Sequence, residues 1–249
     1  MRDFIEPAPP FVDAMKTLVA SISIGAKRPL ANYALPRMES WSHRHGFDFK
    51  VVREPLIPDT LPPHFNKLAI PARFPGYDRY VIIDDDLLIS RTAPPPPSVG
   101  KGMIGLVPDD EQRHTTAVYV SWTGNTGFIV ADAAAAPIFA DALARGSDET
   151  IWGYADQSAL NRSAWEAGAI EQLPAQWNFM PVIHHIVSTD CWPAWKSSRT
   201  KRLAYYLRLI IDPFFADRKK IVKAYGVHLV RAPYPRLFSF IMNGGMLRM

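Results

Sequence analysis

Apolar positions along the chain fall into short runs separated by amphipathic stretches. Leu18-Val19-Ala20-Ser21-Ile22-Ser23-Ile24, Phe47-Asp48-Phe49-Lys50-Val51-Val52 and Tyr80-Val81-Ile82-Ile83 are rich in β-branched or aromatic side chains and bounded by Gly, Pro or charge. That pattern predicts strands buried in a parallel-type sheet. Between the first two, Leu30, Tyr33, Ala34, Met38 and Trp41 recur at helical spacing from Pro29 to His45, with Pro36 placed to kink or restart the helix. A second helix is predicted from Phe65 to Phe74, ahead of the turn Pro75-Gly76-Tyr77-Asp78. Strand, helix, strand, helix, strand opens a doubly wound α/β sheet of Rossmann-like type, with ligands at the carboxyl ends of the strands.

Farther on, Pro94 to Pro97 form a stiff spacer, Met103–Val107 and Thr126–Val130 read as strands, and Ala133 to Ala144 as an Ala-rich helix. A short helix runs through Asp156 to Asn161. Past Trp177 the pattern turns aromatic, basic and amphipathic. This places a boundary near residue 190, between an α/β body (1–190) and a basic, aromatic, mainly helical C-terminal extension (191–249).

Composition narrows the class. A chain of 249 residues, 48% hydrophobic and 21% charged, can bury a sizeable core and is not globally disordered. The single Cys191 forms no internal disulfide, no apolar run reaches a membrane span, and Met1–Pro7 lacks the features of a signal peptide. A cytoplasmic location is the expectation. The net charge of +4 is uneven: nine basic residues between Trp195 and Lys223 stand against Asp212 and Asp217, so the remainder is net acidic. With Trp195, Tyr205, Tyr206, Leu207, Ile211, Phe214 and Phe215 interleaved, this tract fits either peripheral contact with an anionic membrane or a core-packing helix with a solvated basic face. No recognised nucleic-acid motif accompanies it, so nucleic acid is not expected as a partner.

The chemistry concentrates after Tyr80-Val81-Ile82-Ile83, where an apolar strand delivers Asp84-Asp85-Asp86 to its carboxyl end. Three adjacent carboxylates repel one another unless a cation neutralises them. Alternation along extended backbone points Asp84 and Asp86 the same way and Asp85 the other. Two convergent hard oxygen ligands suit Mn²⁺ or Mg²⁺; a solvated acidic turn is the bland alternative.

Other segments join this one in order. Phe65-Asn66-Lys67-Leu68 precedes the strand; Gly124-Asn125-Thr126-Gly127-Phe128-Ile129-Val130, Asp156-Gln157-Ser158-Ala159-Leu160-Asn161 and Leu173-Pro174-Ala175-Gln176-Trp177-Asn178-Phe179-Met180 follow it. Together, across residues 18 to 180, they resemble the GT-A glycosyltransferases, in particular the retaining family that includes glycogenin and bacterial lipooligosaccharide galactosyltransferases. The matching motifs are Asp-X-Asp at a strand end after a Tyr-Asp-Arg turn, a Lys-bearing helix, an Asn-Ser-Gly strand, Asp-Gln-X-X-Leu-Asn and Leu-Pro-X-X-Trp/Tyr-Asn.

The resemblance implies a GT-A fold and transfer of a hexose from a nucleotide diphosphate sugar, with UDP the expected nucleotide. The acceptor would be a glycan or glycolipid, the cofactor Mn²⁺ (or Mg²⁺), and the stereochemistry retaining. It implies Asp84 and Asp86 as metal ligands and Lys67, Asp85, Asn125 and Gly127 as substrate-binding. Asp156 would meet donor sugar or acceptor, and Gln157 would lie beside the anomeric carbon. Trp177 and Asn178 would shape the acceptor pocket. Blander roles stay open: Asn125 as a turn cap, Gly127 as a turn residue, Asp156 as a helix cap, Trp177 as core. The third metal ligand is expected to be His228, with His184 and His185 as alternatives. The Gly and Lys-Pro-Trp that follow this His in the family are replaced by Val230-Arg231-Ala232-Pro233-Tyr234-Pro235-Arg236. This leaves Arg231 or Arg236 as stand-ins for the phosphate-binding Lys. A catalytically silent sugar-nucleotide-binding module is the competing class, along with a metal-dependent nucleotidyl- or phosphotransferase. The latter lacks any Gly-rich phosphate loop with Lys-Ser/Thr here.

Overall fold

The computed structural model describes residues 15–25, 28–109, 123–146, 155–191, 195, 198–230 and 234–244. Strands β1 (Thr17–Ile22), β2 (Asp48–Val52), β3 (Arg79–Asp84), β5 (Ile104–Pro108), β6 (Gly124–Asp132) and β7 (Ile170–Gln172) form a sheet in the order β2-β1-β3-β6-β5-β7. Strand β4 (Leu87–Ile89) pairs separately with β8 (Gly226–His228). β1 is parallel to β2 and β3, and β6 is antiparallel to both β3 and β5, so the sheet is mixed.

Side-chain alternation on β3 builds two layers. Tyr80 and Ile82 join Leu18, Ala20, Ile129, Phe65, Leu68, Phe139 and Leu160 on one face. Val81 and Ile83 join Val19, Phe128, Trp41 and Trp177 on the other, where Tyr205, Leu209 and Phe238 from the C-terminal segment also pack. Burial on both faces explains why the central strands are continuously apolar. The helices are α1 (Ala31–Arg44), α2 (Ile70–Arg73), α3 (Ala136–Arg145), α4 (Ala155–Glu166), α5 (Pro181–Thr189), α6 (Arg199–Ile211), α7 (Ala216–Lys223) and α8 (Pro235–Met242). No helix among the described residues is long and apolar enough to cross a membrane.

Several expectations are corrected. α1 runs through Pro36 without restarting, because the missing N–H removes one hydrogen bond near the helix start while the apolar face stays packed. The helix predicted from Phe65 is a 3₁₀ segment, Pro63–Ala69, followed by the single turn α2. Pro71 withholds the N–H that a continuous α-helix would need there. β2 is an edge strand with Asp48 and Lys50 exposed, not a fully buried one. β7 is three residues long, too short for any periodicity to announce it.

The small sheet matters most for position. β4 follows β3 after the Asp85-Asp86 turn, and β8 lies antiparallel to it with Leu87 opposite His228. On its other side β8 is held by residues 176–179, through Tyr225 N to Gln176 O at 2.7 Å, Phe179 N to Gly226 O at 3.0 Å and His228 N to Phe179 O at 2.9 Å. Gly226 permits this: a Cβ there would overlap the carbonyl oxygen of Trp177. Gly226→Ala should therefore destabilise the protein by about 1–3 kcal/mol, the usual cost of overpacking. A thermal melt matching the wild-type curve would contradict that close approach.

Candidate functional site

At the carboxyl end of β3 the main chain turns, and β4 pairs with β8, so Asp84, Asp86 and His228 meet. His228 Nε2 lies 3.0 Å from Asp86 Oδ1 and 3.8 Å from Asp84 Oδ2. One ligand atom from each residue can be chosen so that all lie within 4.8 Å of one another. Two carboxylates and an imidazole form a donor set that would suit Mn²⁺ or Mg²⁺. The carboxylates are 30% exposed while the His228 side chain is 6% exposed, which suits a site open on its substrate side. His184 and His185, the alternative ligands, are elsewhere: their Nδ1 atoms lie 3.0 and 3.5 Å from the Asp217 carboxylate on α7.

Charge balance is set by Lys67. Its Nζ sits 2.6 Å from Asp84 Oδ1 and 3.2 Å from Asp156 Oδ2, with the side chain only 3% exposed. Burial works against its charge, but the Asp156 and Asp84 carboxylates outweigh burial and raise its pKa. Burial pushes the Asp84 pKa up despite Lys67 and His228. At Asp86 burial is outweighed by the charge and hydrogen bond of His228, and its pKa is lowered. Burial likewise opposes charge on His228, yet Asp86 and Asp84 raise its pKa. A ligating imidazole must be neutral, so a bound cation would displace that proton.

Asp85 turns away, as alternation required, and is held by Arg28 through Nε at 2.7 Å and through Nη2. Arg28, Asp84, Asp85, Asp86, His64, Lys67 and His228 line a cleft of about 320 Å³. A neighbouring pocket of about 220 Å³ shares His64, Lys67, Asp84 and His228 and adds Asp109, Asn125, Gly127, Asp156 and Gln157. Within it, Thr126 Oγ1 donates to Asp156 Oδ2 at 3.1 Å, and Gln157 Nε2 donates to Asp109 Oδ2 at 2.6 Å. His64 Nε2 is 3.7 Å from Asp156 Oδ1. Of the eleven residues assigned to the site with His228 as the third metal ligand, all but two thus line these adjoining pockets.

The exceptions are Trp177 and Asn178, expected at an acceptor pocket. Trp177 is in the core, stacked on Phe128 with centroids 5.0 Å apart. Asn178 is buried between Asn125 and His228, with Nδ2 2.7 Å from Asn125 Oδ1 and Oδ1 3.0 Å from His228 Nδ1. Gly127 serves the same group: a Cβ there would come within 2.5 Å of His228 Nδ1. Arg236 packs on Tyr33, donating to its hydroxyl at 3.0 Å, and does not line either pocket; Arg231 lies outside the described residues. Arg28, His64 and Asp109 were not foreseen. Arg28 and Asp109 follow the carboxyl ends of β1 and β5, where α/β sheets gather ligand contacts, and that rule could have flagged them. His64 carries no such signal.

Lys67→Met would leave Asp84 and Asp156 without their shared cation. We expect a loss of about 1–3 kcal/mol at neutral pH, discounted from a fully buried pair because Asp84 is partly exposed. Burial raises the Asp84 pKa, and protonating that carboxylate relieves the repulsion, so the loss should shrink as pH falls. Denaturant melts near neutral pH and in mild acid check this; an equal loss at both would argue against the charge role.

No protein-family profile matches the sequence, and a comparison with curated proteins finds no match. Solved structures do match. A glycosyltransferase involved in glycosylation of the major capsid of PBCV-1 superposes with a TM-score of 0.54 at 12% identity, covering 92% of this chain and 99% of its own. The galactosyltransferase LgtC in complex with donor and acceptor sugar analogs gives 0.52 at 14% identity, covering 93% and 97%. The apo-form glycosyltransferase GlyE of Streptococcus pneumoniae TIGR4 gives 0.54 at 14% identity, covering 92% of this chain and 62% of its own. The mixed sheet, its flanking helices and these superpositions give the chain the GT-A nucleotide-binding fold.

Proposed function

We propose that this chain is a metal-dependent glycosyltransferase that moves a hexose from a nucleotide diphosphate sugar, UDP-linked, to a glycan or glycolipid acceptor with retention at the anomeric carbon. The observation that carries the reading is the convergence of Asp84, Asp86 and His228 at a strand end of a GT-A sheet. In this reading residues 1–190 are the catalytic body and 191–249 a basic extension that returns His228 to it.

Asp84, Asp86 and His228 would hold Mn²⁺ or Mg²⁺. When bound, the ion supplies Lewis-acid stabilisation of charge on the departing diphosphate. Lys67 orients Asp84 and Asp156 through its ion pairs with both, and Arg28 and Lys67 give the cleft a cationic wall for phosphate. The sugar would occupy the adjoining pocket, where Asn125, Gly127, Asp156 and Gln157 stand. Asp156 already carries Lys67 and Thr126 as partners, and Gln157 is an amide tied to Asp109, so neither is a free carboxylate nucleophile. That supports departure and attack on one face of the sugar without a covalent intermediate.

The extension supports a second part of the proposal: a cytoplasmic enzyme docked peripherally on an anionic membrane. Trp195, Tyr205 and Tyr206, expected at headgroup depth, are core residues instead. The opposite face of α6 presents Leu203, Leu207 and Ile211 at intervals of four, 59%, 47% and 55% exposed, with Phe214 beyond them at 80%. Arg199, Lys201, Arg208, Lys219 and Lys220 are exposed among them. Beside this stripe lies an apolar groove of about 800 Å³ between α1, α6 and α8. An apolar ridge ringed by cations is what an anionic bilayer surface recognises.

With Mn²⁺ and a panel of nucleotide sugars, the protein should release nucleoside diphosphate, and Asp84→Ala and Asp86→Ala should each lower that rate by at least roughly 10²–10³-fold. Consumption of ATP alone would point to a phosphotransferase, and binding without release to a silent module. In flotation with vesicles rich in anionic lipid at low salt, the protein should rise with the lipid, and Leu207→Glu with Phe214→Glu should abolish the effect. Wild-type protein left at the bottom would end the membrane part.

A further inference from the structure

We propose that the protein carries a second ligand site, a pocket on the α1 side of the sheet that binds the phosphate group of a small phosphomonoester. The β1–α1–β2 unit places it. β1 and β2 are parallel and end side by side, with Ile22 opposite Val52 and Ser23 N donating to Val52 O at 2.8 Å. The first turn of α1, at Ala31 and Asn32, lines the space beside them. Strand carboxyl ends that meet a helix N-terminus are where α/β sheets receive phosphate. Alternation at the end of β1 separates this pocket from the cleft. Ile22 and Ile24 line the cleft, whereas Ser23 and Gly25 line a pocket of about 420 Å³. The pocket uses neither the cation ligands nor the sugar-side residues, so it does not depend on the transfer reaction.

Three observations give the pocket its chemistry. Ser23 is 4% exposed, and its Oγ has no hydrogen-bond partner, although a buried hydroxyl ordinarily finds one. Both charged residues in the lining are arginines, Arg28 and Arg53, with no carboxylate beside them. Arg28 commits Nε and Nη2 to Asp85, which leaves Nη1 for a further acceptor. Arg53 follows Val52 at the end of β2, is exposed, and makes no ion pair among the described residues. Helix α1, 14 residues long, starts without a side-chain cap and without an acid in its first turn, so its positive end is not neutralised there. Two guanidinium groups, a hydroxyl and a helix start suit a doubly charged phosphate. The pocket is roomier than a bare phosphate ion requires, and Pro29, Ala31 and Leu35 give it an apolar wall, which fits an ester. Pro29 also lines the apolar groove between α1, α6 and α8. The phosphate therefore has two sources: a soluble ester held within the pocket, or a lipid whose chain passes Pro29 into the groove.

The test titrates glycerol 3-phosphate into metal-free protein by calorimetry at low salt, comparing wild type with Ser23→Ala and Arg53→Gln, positions that line this pocket and not the cleft. The wild type should bind one equivalent. Each variant should bind at least about 10-fold more weakly, the usual worth of a hydrogen bond to a charged group. Without ligand, Ser23→Ala should melt no lower than wild type, because the hydroxyl it loses leaves no partner stranded. The ester should raise its Tm less than that of the wild type. Arg53→Gln, at an exposed position, serves if Ser23→Ala does not fold. A short-chain phosphatidate below its micelle concentration separates the two sources. Tighter binding than glycerol 3-phosphate, with the gain lost in Leu203→Glu, places the phosphate on a lipid; equal binding places it on a soluble ester, and both results keep the site. No binding by the wild type, or binding of wild-type strength in either folded variant, would overturn it.

Discussion

Carboxylates crowded at the end of a buried strand are unstable company, and the organisation of this protein around β3 follows from how their charge is managed. Asp84 and Asp156 arrive from different elements, and the buried Lys67 bridges them. Asp85 is buried on the other side of the strand end and held by Arg28, while Asp86 is matched by His228. Each acid has a cationic or protonatable partner drawn from a different part of the chain. The strand can therefore carry three carboxylates to its edge without losing the apolar run behind them.

That arrangement leaves the site strongly charged yet locally balanced. Lys67 stays protonated because two carboxylates outweigh its burial, and the proton on His228 is favoured by the same acids that a cation would bind. A divalent ion and a proton would then compete for one imidazole nitrogen. The cleft and the adjoining pocket share four residues, His64, Lys67, Asp84 and His228, so charge placed in one is felt in the other. For a reaction in which negative charge builds on a leaving diphosphate beside a sugar, shared walls of this kind are mechanistically useful.

The C-terminal segment contributes in two ways. Its β8 strand brings His228 to Asp84 and Asp86 by pairing with β4. Its helix α6 divides its aromatic and aliphatic residues between core and surface: Tyr205, Tyr206 and Leu209 go inward, Leu203, Leu207 and Ile211 outward. A helix apolar on two faces has one more than the core requires, and that second face is the one proposed to meet a membrane surface.

Much of this was legible in the sequence because it rests on local rules. Short continuous apolar runs located β1, β3 and β6, helical spacing located α1, and the acidic stop after Ile83 marked the carboxyl end of the central strand. Lys67, Asn125, Asp156, Gln157 and His228 were chosen by resemblance, and they face the same depression. Tertiary structure alone decided the rest. Whether Trp177 lines a pocket or fills the core depends on Phe128 and Trp41 packing against it, and whether His228 or His184 meets the acids depends on β8 choosing β4 as its partner. Asn178 illustrates the limit: an amide is ambiguous in sequence because it can donate or accept, and only its contacts with Asn125 and His228, far away in the chain, decide which of its atoms faces which partner. Local patterns specify which atoms are available, but contacts between residues far apart in the chain specify which of their hydrogen-bonding options each one uses.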